Sequence, residues 1–216
     1  MEISKVKEKR KTTIYPTYDL ENLTKGKGYK YIVGTDEAGR GCGAGPVVAA
    51  AVHIHEDILP ELLGKVNDSK KMSHKRREVM YEFINEHCNV GVQAIEAEII
   101  DDINILEATK VAMRSSVEQL EYYDYILVDG PVDLTKHIVG IPTQQIIKGD
   151  TKSVSIAAAS VIAKVTRDRI MDDIHNIYPI YNFRKNKGYL VPEHLKALEL
   201  YGPCNFHRFS FRRVGK

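Results

Sequence analysis

Glycines at 39, 41, 43 and 45 occupy alternate positions of AGRGCGAGP (38–46), between two apolar runs, YIVGT (31–35) and VVAAAVHI (47–54). Glycine has no side chain to bury and loses more backbone freedom on folding than any other residue, so this spacing sustains neither a helix nor a packed strand. The segment must turn. The runs on either side of it are predicted to be strands paired as antiparallel neighbours.

The remaining pattern alternates strands with helices. Ser73 is placed to cap a helix whose apolar positions Val79, Met80, Phe83 and Ile84 repeat at three and four. Residues 90–97 read as a strand. Ile99, Ile100, Ile103, Leu106, Val111, Met113, Val117 and Leu120 mark one long helix or two abutting ones. DYILVDG (124–130) is a buried strand that stops at glycine, and 141–148 is another short one. Residues 153–174 have alanine-rich helical spacing, and Pro192 with Gly202 brackets a last helix. Two early strands followed by strands alternating with helices predict an α/β domain, a mixed central sheet with helices on both faces. Residues 1–29 show no apolar period and are read as a basic, partly mobile extension, with Gly26 and Gly28 as a hinge into a domain over 30–216.

The longest apolar runs, 47–54 and 156–163, fall far below the roughly eighteen residues of a membrane span. The start of the chain is charged and lacks the apolar stretch of a secretory signal. A soluble, cytoplasmic protein with no membrane partner is expected. Three unequally spaced cysteines without a CxxC argue against a disulfide framework or a zinc site and read as reduced thiols. The net charge of +2 hides an uneven distribution: residues 1–30 carry eight Lys/Arg against four Asp/Glu, residues 181–216 eight against two, which leaves 31–180 at −8. An acidic middle between basic ends suits a protein that gathers cations centrally and touches polyanions peripherally, although charged ends also simply confer solubility.

Three strand ends carry acids. Asp36 and Glu37 stand at the exit of the first strand, where adjacent carboxylates can share a site only because the chain then turns at Gly39 and Gly41. Asp129 ends the strand YILV, and Asp150 follows the short strand before a helix. Taken singly, an Asp beside Gly after a strand is usually a turn. Together, three strand ends would bring four carboxylates into one place, tolerable only with neutralising cations, and oxygen donors without thiolate or imidazole favour Mg²⁺ or Mn²⁺.

At these residues the chain resembles a known family. GTDEAGRGCGAGPVV (34–48), NDSK (67–70), LVDG (127–130), KGD (148–150), IAAAS (156–160), AKVTRDR (163–169), NKGY (186–189), EH (193–194) and HR (207–208) are similar, motif by motif and in order, to ribonuclease HII over residues 31–214. The resemblance implies a ribonuclease H-like fold and two-metal hydrolysis by Asp36, Glu37, Asp129 and Asp150. It also implies reading of the ribonucleotide by Gly39, Arg40, Gly41 and Tyr189. The implied substrates are RNA/DNA hybrids and duplex DNA containing ribonucleotides, cut 5′ of the ribonucleotide to leave 3′-hydroxyl and 5′-phosphate ends, in replication and repair. About three residues are added between Asp129 and Asp150 relative to the common bacterial spacing. No clamp-binding tail is evident, and a monomer is the simpler expectation.

Other residues invite plainer readings. Asn67 and Lys70 are candidates for holding a DNA phosphate, or an Asx turn before the Ser73 helix. Lys164, Arg167 and Arg169 are read as surface ion-pair partners of Asp168 and Asp172. His194 and His207 are assigned structural roles, and Cys42 that of a small residue. Gly39-x-Gly41-x-x-Ala44 formally matches a dinucleotide-binding fingerprint, but Pro46 and a strand follow it where a helix is required. A non-catalytic nucleic-acid module would have no need of four carboxylates.

Overall fold

The computed structural model describes residues 15–215. The sheet is built from β1 (Ile32–Ala38), β2 (Val47–His53), β3 (Asn89–Ile95), β4 (Tyr125–Asp129) and β5 (Thr143–Ile146), in the order β3-β2-β1-β4-β5. β1 pairs antiparallel with β2 and β2 with β3, as the glycine-rich turn requires, while β4 lies parallel to β1 and β5 parallel to β4. The sheet is mixed, as expected.

Every residue of β2 is buried, because both sheet faces are covered. Ala50 and Val52 point toward α3 (His74–His87) and α6 (Val154–Ile177), where Met80, Ile84, Ala158 and Ile162 complete one core. Val47, Ala49 and Ala51 point the other way, toward Ala112, Met113 and Val117 of α5 (Ile105–Glu118), with Ile100 of α4 (Ala97–Ile103) alongside. The alanines of β2 let both helix layers come close. Glycine does the same where backbone meets backbone: a Cβ on Gly34 would lie 2.3 Å from the amide nitrogen of Ile156, and one on Gly91 1.9 Å from the carbonyl oxygen of Ser116. The remaining helices are α1 (Asp19–Lys25), α2 (Leu59–Leu62), α7 (Phe183–Asn186) and α8 (Pro192–Tyr201).

Several sequence expectations change in detail. Val79 is exposed while Met80 and Ile84 are buried, since α3 turns those two residues into the core it shares with α6 and leaves Val79 on the solvent side. The apolar stretch after β3 divides into α4 and α5 at Asn104, whose φ of 67° breaks the helix and whose Oδ1 accepts from the amides of Leu106 and Glu107 at 3.0 and 3.2 Å. The first strand runs on to Ala38 rather than ending before Asp36.

The expected extension over 1–29 falls partly outside the described residues; its remainder, 15–29, packs onto the domain. Thr17 bridges Ser153 in parallel, and Glu21 of α1 is fully buried at the start of α6. Glu21 Oε1 accepts from Ser153 Oγ and Ser155 Oγ at 2.6 Å each and from the Ser155 amide at 3.1 Å. A carboxylate fits there because the first turn of a helix presents amides without intrahelical acceptors and the positive end of the helix dipole.

Candidate active site

Parallel pairing of β1, β4 and β5 brings their C-terminal ends side by side, the position where ligands of α/β sheets gather. Asp36 and Glu37 come from β1, Asp129 from the last position of β4, and Asp150 from the 3-10 turn Gly149–Thr151 after β5. All four line one cleft of about 300 Å³, together with Gly39, Arg40, Gly41, Lys70, Ser160 and Tyr189.

Asp36 and Glu37 remain within β1, opposite Ala50 and Ala49 of β2, so the expected strand end is not what unites them. The β4 side supplies the reason: β1 pairs with β4 only as far as Thr35 opposite Val128. Beyond that point β1 is open on one edge, and the cleft reaches both side chains. Asp129 Oδ1 accepts from the Gly149 amide at 2.6 Å and from the Asp150 amide at 3.4 Å, which ties the carboxylate ending β4 to the turn that carries Asp150. A Cβ on Gly149 would stand 2.6 Å from Cδ1 of Ile156 and 3.1 Å from Asp129 Oδ1, so a larger residue there would crowd the Asp129 carboxylate.

The acids raise one another's proton affinity. Asp36 is held well above the ordinary aspartate range by burial first, then by Glu37 and Asp129, against the opposing hydrogen bond from Ser160. Burial pushes Glu37 up to about 7, with Asp129 adding to it and Arg40, 3.3 Å away, working against it. Asp150 rises to about 6 through burial, Asp129 and Asp68, with Lys70 and Lys71 opposing. Among the described residues no three His, Cys, Asp or Glu side chains converge tightly enough to form a ready-made cation cage. The donor set nevertheless fits a divalent ion. It is all hard oxygen, and the charge it concentrates exceeds what Arg40 and Lys70 offset.

The glycine-rich turn is held from below by two arginines. Arg167, expected on the surface, is buried: its Nε donates to Pro46 O at 2.9 Å, Nη1 to Lys187 O at 2.9 Å and Nη2 to Ala44 O at 3.1 Å. Gly39, at φ +97°, lies so close that a Cβ would fall 2.0 Å from Arg167 Nε. The helical spacing of 164, 167 and 169 did not reveal this, because the turn that α6 passes beneath is distant in sequence. Lys164 does pair with Asp168 at 2.6 Å, and Arg169 with Glu78 and Glu82 at 2.7 Å each; Asp172 pairs with Lys187 instead.

Tyr189 is half-exposed at the cleft. Its carbonyl is within 2.9 Å of His194 Nδ1, and His194 Nε2 is 3.0 Å from His207 Nε2. The Cys204 amide donates to His207 Nδ1 at 2.9 Å, which leaves the His207 proton on Nε2 and the His194 proton on Nδ1. Burial lowers both imidazoles, His207 to about 4, so the pair stays neutral and structural. Cys42 is fully buried.

Lys70 lines the cleft, whereas Asn67 is buried behind it and its Oδ1 accepts from the Asp68 amide at 2.8 Å. The Asx-type bond after Asn67 is made by Asp68, whose Oδ1 accepts from the Lys70 amide at 3.0 Å. Sequence reasoning passed over Ser160, whose hydroxyl bonds Asp36 and stands 3.0 Å from Ser69 Oγ. Its place one helical turn along α6 from Ile156 was the available signal.

A mixed five-stranded sheet in the order β3-β2-β1-β4-β5, covered by helices on both faces, is an α/β domain of the ribonuclease H-like fold. The family model for Ribonuclease HII matches residues 33–214. Ribonuclease HII of Bacillus subtilis is 50% identical over 199 residues, spanning 90% of this chain and 74% of that protein. Among solved structures, ribonuclease H2 from Pyrococcus horikoshii superposes with a TM-score of 0.76 at 25% identity, covering 86% of this chain and 96% of that one. RNase HII of Archaeoglobus fulgidus, solved in complex with PCNA, gives 0.73 at 30% identity, covering 85% and 96%. The chain belongs to the ribonuclease HII family and is an endoribonuclease of the ribonuclease H type. Among the described residues no helix is long and apolar enough to cross a membrane.

Proposed function

We propose that this enzyme cuts the RNA strand of RNA/DNA hybrids and cuts 5′ of ribonucleotides embedded in duplex DNA, with Asp36, Glu37, Asp129 and Asp150 as its catalytic and metal-binding residues. The observation that carries this reading is the meeting of the four acids in one cleft with the Gly39–Gly41 turn and Tyr189. Two Mg²⁺ or Mn²⁺ ions held by the four carboxylates would supply the Lewis acidity that makes a water nucleophilic near neutral pH and offsets charge on the phosphate.

The protein's own contribution is placement. Asp129, fixed by the Gly149 amide, keeps its carboxylate and that of Asp150 at a constant spacing. Ser160 holds Asp36 by a hydrogen bond that favours its ionised form. Backbone groups at Gly39 and Gly41 approach the ribose, since no Cβ stands between them and the sugar, and distinguish it by its 2′-hydroxyl. Tyr189 offers a ring face to the sugar and a hydroxyl to the same group. Lys70 and Lys164 at the rim meet backbone phosphates. Attack in line on the phosphate leaves a 3′-hydroxyl and a 5′-phosphate.

The test is cleavage of a DNA duplex with one ribonucleotide, beside all-DNA and hybrid duplexes, in Mg²⁺, Mn²⁺ and chelator. A metal-dependent cut 5′ of the ribonucleotide, lost in Asp129→Asn with hybrid binding retained, is expected. Undiminished cleavage by Asp129→Asn would remove the assignment of the acids.

A further inference from the structure

We propose that Arg208 is a positioning residue for ribose discrimination, acting by fixing the peptide between Arg40 and Gly41; this rests on the reading that the Gly39–Gly41 turn recognises the 2′-hydroxyl. Arg208 is fully buried, and among the described residues no carboxylate forms a salt bridge with it, Asp101 attracting it only from farther off. Its Nε donates to Gly45 O at 3.0 Å and its Nη1 to Arg40 O at 3.1 Å, while Nη2 is buried with no acceptor among the described residues. The guanidinium lies over the ring of Phe211, 5.0 Å from its centroid, and close enough to Arg167 for the two charges to repel. Burying a guanidinium among carbonyls beside a second one is an expensive way to brace a loop, and well-packed apolar side chains commonly stabilise such positions as well or better. What apolar side chains lack is a directed donor.

The direction matters because the peptide group is planar and trans. Its C=O and N–H point opposite ways. When Arg208 draws the Arg40 carbonyl into the protein, the Gly41 N–H in the same plane is turned outward. That N–H has no acceptor among the described residues, Gly41 lines the cleft, and a Cβ built on it would meet no atom within 4 Å. A donor is thus held facing open space beside the four acids, suited to a 2′-oxygen as acceptor.

Apart from Gly45 O, the rest of the turn is anchored by other groups. The Arg208 amide donates to Gly43 O at 2.9 Å, the Gly45 amide to Phe206 O at 2.8 Å and the Gly43 amide to Gly188 O at 2.9 Å. Ala44 and His207 form an antiparallel bridge, and Arg167 holds Ala44 and Pro46. Replacing the Arg208 side chain therefore releases the peptide at 40–41 and the donor to Gly45 O, while the backbone bonds of residues 43 and 45 and the Arg167 bonds to Ala44 and Pro46 remain.

The experiment compares kcat/KM on two duplexes that differ at one sugar, a ribonucleotide or its 2′-fluoro analogue, which is a poor acceptor. The nucleophile is water, so fluorine leaves the attacked phosphate available. Wild type is expected to prefer ribose, and Arg208→Met to reduce that preference about tenfold, the loss expected for one hydrogen bond, by slowing cleavage of the ribose substrate. Arg208→Lys, with one donor retained, falls between them and carries the comparison if Arg208→Met does not fold. Ile84→Ala, destabilised in the remote α3 core, keeps the wild-type ratio. A folded Arg208 variant with an unchanged ratio overturns the proposal and leaves the turn's reading intact. Wild type that does not discriminate between the two sugars overturns the reading itself, and the proposal with it.

Discussion

Removing the charge of Glu37 should make the cation-free protein more stable while abolishing cleavage, and the pH dependence of the gain isolates its cause. Glu37 takes up its proton at about 7 in the folded protein against an ordinary 4.5. A group whose folded value is raised contributes stability that is complete below its unfolded value and is lost as the pH rises through the folded one. At pH 8 the folded protein therefore carries the whole penalty of the ionised side chain, about 3 kcal/mol at 1.36 kcal/mol per pH unit. Glu37→Gln removes that penalty and also gives up the contact with Arg40, which is 3.3 Å long with the arginine side chain 37% exposed. A partly exposed pair of this kind contributes up to about 1 kcal/mol. The net gain is about 2 kcal/mol, equivalent to a Tm rise of roughly 4 to 8 °C for a chain of this size.

The assay is thermal unfolding in chelator, followed by circular dichroism, at pH 8 and pH 5. The difference between variant and wild type should shrink to under about 1 kcal/mol at pH 5, where the folded wild type is already protonated at this site. Adding Mg²⁺ at pH 8 should raise the wild-type Tm more than that of the variant, since the ion offsets the buried negative charge that the substitution has removed. A variant no more stable than wild type at pH 8, or a gain equally large at pH 5, would refute the argument that burying an ionised Glu37 beside Asp129 strains the site.

Gly34→Ala should lower stability by about 1 to 3 kcal/mol in urea unfolding, because α6 must back away from β1, whereas Gly41→Ala should change it by less than about 0.5 kcal/mol because its Cβ meets open space. Glu21→Ala should cost about 2 to 4 kcal/mol by stripping three donors at the start of α6, measured by the same transition. Lys70→Ala should raise KM on hybrid and ribonucleotide-containing duplexes alike and reduce the salt slope of binding by about one, read from titrations across ionic strength.

The cleft is thus built around groups that cost stability: buried acids placed near one another and buried arginines that form no salt bridge among the described residues. Glu37 and Arg208 both carry a charge that burial penalises, Glu37 with Asp129 adding to the cost and Arg208 with Arg167 adding to it. A stability optimum would replace both, and the expectation of gained stability with lost activity at Glu37 follows from that arrangement.

Local sequence determined a good deal. Continuous apolar runs, the cap at Ser73, the alanine-rich spacing of 153–174 and the glycine spacing at 39–45 act over a few residues, so the strands, the longer helices and the turn between β1 and β2 were legible without the fold. So were Asp129 and Asp150, since an acid beside glycine at the end of an apolar run marks a strand's C-terminal edge. Only the tertiary structure decided what depends on neighbours far along the chain. It placed Arg167 and Arg208 beneath the glycine turn, against a surface reading for Arg167. Glu21 was set on the start of α6 more than a hundred residues away, and β4 ends where β1 continues, which opens the edge that lets Asp36 and Glu37 share a cleft. Burial and hydrogen-bond partners come from the packing of one element on another, and spacing within a single element carries no record of them.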